Sequence, residues 1–117
     1  MNRLLRSFAF AFQGLKAAFA GEPNFRIHTL VALLVIGLGF YFHIPAMEWV
    51  MIMICIGLVL MAELFNTALE TIVNIISPQH QHLAGKAKDV AAAAVVVVVV
   101  ISVISGFLIF TKYLFAV

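Results

Sequence analysis

The sequence predicts an all-α integral membrane protein with an N-terminal amphipathic surface helix and three transmembrane helices. Composition is the first reason, because 65% of the residues are hydrophobic and only 10% are charged, whereas a soluble domain carries about 45–50% apolar and about 25% charged residues. The second reason is that three apolar stretches reach the length of about 20 residues that crosses a bilayer. A chain of 117 residues then forms a single domain, and its net charge of +2 gives no reason to expect nucleic acid as a partner.

Residues 1–21 are predicted to form a helix that lies on the membrane surface. Its cationic residues, Arg3, Arg6 and Lys16, are interleaved with phenylalanine and leucine, a pattern typical of a helix whose apolar face enters the headgroup region. A secretory signal peptide is the alternative, since Ala18-Phe19-Ala20 resembles a cleavage site. Lys16 interrupts the apolar core that such a peptide needs, so the surface helix is favoured.

The three membrane spans are predicted at residues 26–45, 47–76 and 89–112. The first span follows Pro23, which fixes its own φ and disfavours helix at the preceding residue. The second should leave the hydrocarbon near residue 68 and continue into water until Ser77-Pro78 ends it. The third contains six successive valines. We expect helix there, because an open strand edge in lipid would leave backbone groups unpaired at several kcal/mol each.

The placement of lysine and arginine predicts the topology of the chain in its membrane. Basic residues concentrate before the first span and in the loop predicted at residues 77–88. The positive-inside rule therefore places the N-terminus and this loop in the cytoplasm. The first loop and the C-terminus then face outside, although Lys112 at the end of the third span opposes this orientation.

A stripe of polar residues interrupts the second span. At about 100° per residue, Glu63, Asn66, Glu70 and Asn74 fall within roughly 80° of one another on a helix, and Thr67 joins the same face. Ionisable residues inside a span are costly and are therefore candidates for a functional site. Packing between helices through hydrogen bonds is the alternative for any one of them.

The predicted topology brings this stripe to the cytoplasmic surface, at the level of Glu22, Lys88 and Asp89. Mg²⁺ binds one or two carboxylates together with substrate phosphates, so Glu22 and Glu70 are candidate ligands. Glu63 lies deeper, where poor solvation favours proton uptake and suits a general base. Lys88 can offset phosphate charge. Spacing alone therefore indicates a carboxylate site at the cytoplasmic face and no named reaction.

Other polar residues have simpler interpretations. His80 and His82 lack a third ligand nearby, so a solvated loop is favoured over a zinc site. Arg26 lies four residues after Glu22 and is expected to form only a surface ion pair with it. Cys55 lies alone in an apolar stretch, which excludes a disulfide within the chain.

The sequence resembles the prokaryotic diacylglycerol kinase family in two motifs. These are Glu63-x-x-Asn66-x-Ala68-x-Glu70 and Gly85-x-Ala87-Lys88-Asp89-x-x-x-Ala93-Ala94, and the segments Gly14-Leu15-x-Ala17-Ala18 and Glu22-x-x-Phe25-Arg26 match as well. The resemblance implies a homotrimer of three-span subunits that transfers the γ-phosphoryl group of ATP to a lipid hydroxyl, with Mg²⁺ as cofactor. It also implies a bacterial cytoplasmic membrane as the location and active sites between subunits at the cytoplasmic interface.

Roles follow from the resemblance residue by residue. It implies that Glu63 is the catalytic base and that Glu22 and Glu70 bind Mg²⁺. Its implied ATP-binding residues are Arg3, Phe10, Glu22, Glu70, Gln79, His80, Gln81, Lys88 and Asp89. Its implied lipid-binding residues are Arg3, Phe12, Lys16, Phe25, Arg26, Glu63 and Asn66.

Four departures concern the lipid acceptor. Where the enteric diacylglycerol kinase pattern has Tyr, Trp, Glu and Asp, this chain has Phe10, Phe12, His28 and Asn74. The chain is more similar to the undecaprenol kinases of the family, so undecaprenol is favoured over diacylglycerol. A non-catalytic membrane subunit or a small ion-conducting protein is the alternative of another class, and a purely structural anchor is the third.

Overall fold

The computed structural model describes residues 2–79 and 81–116, which form four α-helices in the described part of the chain. They are α1 (Arg3–Gly21), α2 (Pro23–Phe42), α3 (Ala46–Ile76) and α4 (His82–Leu114). The last three are long and apolar enough to cross a membrane. The prediction of an all-α membrane protein with three helices able to span a bilayer is confirmed, while the boundaries of the spans in lipid stay predictions.

The junction between α1 and α2 is a single extended residue, Glu22. Pro23 begins α2, where its missing N–H costs nothing because the first turn of a helix has no intrahelical acceptor for it. The Arg26 guanidinium donates hydrogen bonds to the carbonyls of Phe19 (2.7 Å) and Ala20 (3.1 Å). It thereby satisfies carbonyls at the end of α1, whose dipole favours a cation there. The expected ion pair between Arg26 and Glu22 is not formed among the described residues.

The turn between α2 and α3 depends on a left-handed residue. His43 has φ 54° and ψ 51°, a region that histidine enters more readily than most residues. Its N–H donates to the Phe40 carbonyl (3.3 Å), and the Ile44 N–H donates to the Gly39 carbonyl (3.2 Å). This pattern is a Schellman motif, and Pro45 follows it because proline cannot continue the helix. The two helices therefore run antiparallel as a hairpin.

The turn between α3 and α4 is shorter than the loop predicted at residues 77–88. Ser77 ends α3 before Pro78, as expected, but α4 already begins at His82. The prediction assigned residues 82–88 to the loop because many of them are polar. Polarity does not break a helix, and the segment is rich in leucine, alanine and lysine, which favour helix strongly enough to offset the roughly 1 kcal/mol cost of Gly85.

The main apolar core lies at the end of the bundle that contains the α2–α3 turn. Its buried members come from the turn, α3 and α4: Ile44, Ile52, Ile109 and Phe110. The Phe42 ring stacks on that of Tyr113, with centroids 5.5 Å apart and planes inclined by 22°. Offset-stacked rings of this kind add to the stabilisation that apolar burial provides. The α2–α3 turn is thus fixed against the last turns of α4.

A charged contact at the same end joins α3 to α4. Glu48, in the first turn of α3, accepts hydrogen bonds from Lys112 and from the Tyr113 hydroxyl, the latter at 2.6 Å. The Glu48 side chain is only 12% exposed, so these donors satisfy a carboxylate that is largely withdrawn from water. Lys112, the residue that opposed the predicted orientation, therefore has a partner at its own end of the bundle.

Most large apolar side chains of α2, α3 and α4 point outward. Leu33 and Leu108, for example, are 62% and 73% exposed. A water-soluble monomer rarely leaves such extensive apolar surface uncovered, whereas a hydrocarbon environment accepts it without cost. The described surface is therefore the surface of a membrane protein.

Candidate active site

Glu63 is the buried carboxylate at the opposite end of the bundle from the aromatic core. It lies on α3, and only 2% of its surface is exposed. The one side chain within ion-pair distance of it in the described part of the chain comes from α2, where His28 Nε2 lies 3.7 Å from Glu63 Oε2. This separation exceeds that of a direct hydrogen bond. Burying a carboxylate with so little compensation is costly, which is typical of a site kept for function rather than stability.

Two residues along the same helix face extend the site. Asn66 Nδ2 donates a hydrogen bond to Glu70 Oε1 at 3.3 Å. Asn66 Oδ1 and Thr67 Oγ1 are buried and have no hydrogen-bond partner among the described residues. Buried polar atoms are nearly always paired in folded proteins, so two unpaired atoms on the face that carries Glu63 are unusual among the described residues.

Two further carboxylates lie near Glu63. Glu22, at the α1–α2 junction, and Glu70, on α3, are both half-buried and close enough for their charges to act on Glu63. No group of three or more histidine, cysteine, aspartate or glutamate side chains converges as a metal cluster in the described residues. Mg²⁺ does not need one, since it takes one or two carboxylates and completes its shell with phosphate oxygens and water. The oxygen-only donors of Glu22 and Glu70 fit this ion.

A second polar site lies where α3 ends and α4 begins. A cavity of about 260 Å³ is bordered there by Asn74, Gln79, Lys88 and Asp89. Lys88 Nζ donates to Asn74 Oδ1 at 2.5 Å. The cavity therefore presents an ammonium group that is held by a neutral amide, so its charge stays available to an anion. Gln81 is the exposed N-cap residue of α4. His80 lies outside the described residues.

An apolar cavity of about 350 Å³ runs between α2, α3 and α4. His28 borders it, together with apolar side chains of all three helices. Cys55 also lines the cavity and is half-buried. The cavity therefore extends from the apolar interior of the bundle to His28, the residue that faces Glu63.

The remaining sequence candidates lie apart from this centre or serve the fold. Arg3, Phe10, Phe12 and Lys16 are exposed along α1. Among the described residues, neither Arg3 nor Lys16 forms an ion pair. Phe25 is buried, with 5% exposed. Arg26 is used as a cap for α1.

Two contacts escaped the sequence interpretation. His28 faces Glu63, although the sequence singled it out only as a departure from the enteric pattern. Asn74 accepts a hydrogen bond from Lys88, although it was expected only as part of the polar stripe and as another such departure. The usable signal is hairpin symmetry. His28 and Glu63 lie almost equally far from Pro45 along the chain, whereas Asn74 and Lys88 lie at unequal distances from the 77–81 turn, so this signal could have found only the first contact.

Comparison with known proteins gives one consistent result. Residues 9–110 match the family model described as prokaryotic diacylglycerol kinase. The undecaprenol kinase of Bacillus subtilis is 42% identical over 110 residues, which cover 94% of this chain and 89% of that protein. The diacylglycerol kinase of Synechocystis is 41% identical over 104 residues, which cover 88% of this chain and 59% of that protein. The diacylglycerol kinase of Haemophilus influenzae is 34% identical over 93 residues, covering 80% of this chain and 79% of that protein.

Proposed function

The chain belongs to the prokaryotic diacylglycerol kinase family, and from this premise we propose that it is an ATP- and Mg²⁺-dependent lipid kinase with undecaprenol as its favoured acceptor. The observation that carries the proposal is the buried Glu63, on a helix face with the unpartnered acceptors of Asn66 and Thr67. A purely structural anchor does not require a buried carboxylate, which is costly inside a membrane span. A lipid kinase needs it, because the reaction requires a base and polar contacts at the membrane surface.

The base acts on the lipid hydroxyl. Glu63 removes the proton as the lipid oxygen forms its bond to the γ-phosphorus of ATP, while the bond from that phosphorus to the bridging oxygen of ADP breaks. Phosphoryl transfer needs positioning and charge neutralisation more than covalent participation by the protein. Asn66 and Thr67 lie on the same helix face as Glu63 and supply the polar contacts that orient the reactants there.

The phosphates are held by groups from α4, from α3 and from the α1–α2 junction. Lys88 supplies a positive charge from the cavity at the start of α4, beside Asp89 and Gln79. Glu22 and Glu70 would hold Mg²⁺, which neutralises charge on the transferring phosphoryl group when bound. The Asn66 hydrogen bond to Glu70 already restricts one of these carboxylates. Preorganised ligands of this kind lose little entropy when the nucleotide arrives.

The membrane arrangement is part of the proposal. Helix α1 exposes Phe8, Phe10 and Phe12 along with Arg3 and Lys16, which suits a helix lying at the cytoplasmic face of the bilayer. The N-terminus and the 77–81 turn then face the cytoplasm by the positive-inside rule. A homotrimer, which the family resemblance implies, belongs to the same proposal.

The acceptor is the finer part of the proposal. Undecaprenol is favoured by the identity to the Bacillus subtilis protein and by the residues His28 and Asn74. Diacylglycerol is the second candidate, because the Synechocystis relative is almost as similar. A long prenyl alcohol and a glycerol diester present the same reacting group, a hydroxyl at the membrane surface. Only a direct comparison of the two lipids separates them.

The test is transfer of labelled γ-phosphate by the purified protein in mixed micelles, with undecaprenol and diacylglycerol side by side. Glu63→Gln should lower turnover by about 10²–10⁴-fold, the contribution of a general base, without changing the helix content or the oligomer. Glu48→Gln is the matched control, because it neutralises a carboxylate on the same helix at the far end of the bundle. Full turnover by Glu63→Gln would remove Glu63 from the role of base. No transfer to either lipid by folded protein would favour the non-catalytic alternative, and ion flux in liposomes would then be measured.

A further inference from the structure

Among the described residues, His28 is the one side chain within ion-pair distance of the Glu63 carboxylate. This carboxylate accepts no hydrogen bond from the side chains of those residues, although it is 2% exposed. His28 reaches it from the neighbouring helix, with Nε2 3.7 Å from Oε2. A base that must accept a proton from a substrate in a fixed direction needs its carboxylate oriented, and no described side chain other than His28 is placed to orient it.

The electrostatic surroundings of Glu63 increase the importance of His28. The ionisable groups near enough to act on Glu63 are His28 from α2, Glu22 from the α1–α2 junction and Glu70 from α3 itself. Both glutamates oppose its negative charge, and only the imidazole can favour it. The nitrogen of a histidine that faces a carboxylate is normally the one that carries hydrogen. Nε2–H is therefore the donor available to Glu63.

The separation of 3.7 Å fits a contact that tightens when substrate binds. Catalytic hydrogen bonds are often long before the substrate is present and shorten in the complex. His28 has room to move, because its side chain is 20% exposed and borders the apolar cavity. A shift of less than about 1 Å brings Nε2 within the usual range of a hydrogen bond.

We propose that His28 is a positioning residue for Glu63, holding the carboxylate by a hydrogen bond from Nε2–H while the lipid hydroxyl gives up its proton. The inference rests on the proposed lipid kinase function and deepens it. The proton transfer itself is unchanged: it passes from the hydroxyl to Glu63, and His28 neither gains nor loses a proton. His28 does not border the cavity of about 260 Å³ that contains Lys88. A substitution of His28 should therefore change the rate of the chemical step rather than the binding of ATP.

The experiment compares three variants by kcat and by KM for ATP. His28→Leu keeps the bulk of the side chain and removes the donor, so kcat should fall by about 10- to 100-fold, as expected for a hydrogen bond to a charged group, with KM for ATP unchanged. His28→Gln carries an amide donor and should keep kcat within about threefold of the native value. His43→Asn is the matched control at the other end of α2, since asparagine accepts the left-handed conformation found there. It should leave both kcat and KM for ATP unchanged.

The outcomes separate this inference from the function on which it rests. Inactive native protein would overturn the proposed function and the inference together. Active native protein with an equally active His28→Leu would overturn the inference alone. A purely structural role predicts that leucine is tolerated and glutamine is not, the reverse of our expectation. If His28→Leu fails to fold, His28→Gln decides: a folded His28→Gln that lost turnover would overturn the inference.

Discussion

Gly39→Ala tests how closely α2 and α3 approach each other near their turn. A methyl group added at Gly39 would lie 2.6 Å from Cη2 and 2.9 Å from Cζ2 of Trp49. Carbon atoms in favourable contact are about 3.5–4.0 Å apart, so the indole ring must move by about 1 Å. Phe40 limits that movement, since its ring centroid lies 4.8 Å from that of Trp49. The substitution should therefore force the two helices apart or turn the indole out of its place.

Two opposing effects set the size of the change. Overpacking a well-filled contact costs about 1–3 kcal/mol. Replacing glycine by alanine within a helix returns about 0.5–1 kcal/mol, because alanine loses less conformational entropy. The net expectation is a loss on the order of 1 kcal/mol in the free energy of unfolding. Gly37→Ala is the matched control, because a methyl group there meets nothing within 4 Å. It should give only the helix-propensity gain.

The assay uses the fact that the chain contains one tryptophan. The fluorescence of purified protein in detergent reports on Trp49 directly, and unfolding by a denaturing detergent gives the difference in stability. We expect Gly39→Ala to shift the emission and lower stability, while Gly37→Ala leaves the emission unchanged. Adding Trp49→Leu to Gly39→Ala should recover part of the loss, because the two substitutions are coupled; unfolding is then followed by circular dichroism, since this variant has no tryptophan. An unshifted emission with a gain in stability equal to that of Gly37→Ala would refute the close contact.

Two further predictions concern the candidate active site. The carboxylate introduced by Asn74→Asp should pair with Lys88 and compete with phosphate for the lysine charge. We expect KM for ATP to rise by up to about fivefold, the effect of an exposed ion pair. An unchanged KM, measured over a range of ATP concentrations, would contradict this role of Lys88. Thr67→Val removes a buried hydroxyl without a partner in the described chain, so it should raise the free energy of unfolding by about 1 kcal/mol and lower turnover. A Thr67→Val protein with lower stability and full turnover would show that the hydroxyl serves the fold instead.

The helices could be predicted from the sequence because their signals are local. Apolar stretches of sufficient length and breaks at Pro23, Pro45 and Pro78 mark α2 and α3 without reference to the rest of the molecule. The error at the start of α4 came from the same kind of argument. Charge and amide content indicated a loop, whereas the intrinsic preference of leucine, alanine and lysine for helix governs the backbone from His82 onward.

The contacts between helices could not be predicted in the same way. The polar stripe showed that Glu63, Asn66 and Glu70 share a face, because helical periodicity alone decides that. It could not show which residue of another helix faces Glu63, since that depends on the rotation of α2 about its own axis. That rotation is fixed by distant packing, including the contact of Gly39 with Trp49. The roles of the site residues in catalysis remain predictions.

The distribution of apolar and polar contacts separates stability from activity along the bundle. The buried cluster of Ile44, Ile52, Ile109 and Phe110 lies at the α2–α3 turn, while the buried carboxylate and the unpartnered acceptors lie toward the other end. Polar groups kept without partners lower stability, and proteins retain such groups where function requires them. Substitutions at the aromatic end should therefore change stability with little effect on the rate per folded molecule. Those around Glu63 should change the rate while stability stays level or rises, so measuring both for each variant locates the catalytic end independently of sequence similarity.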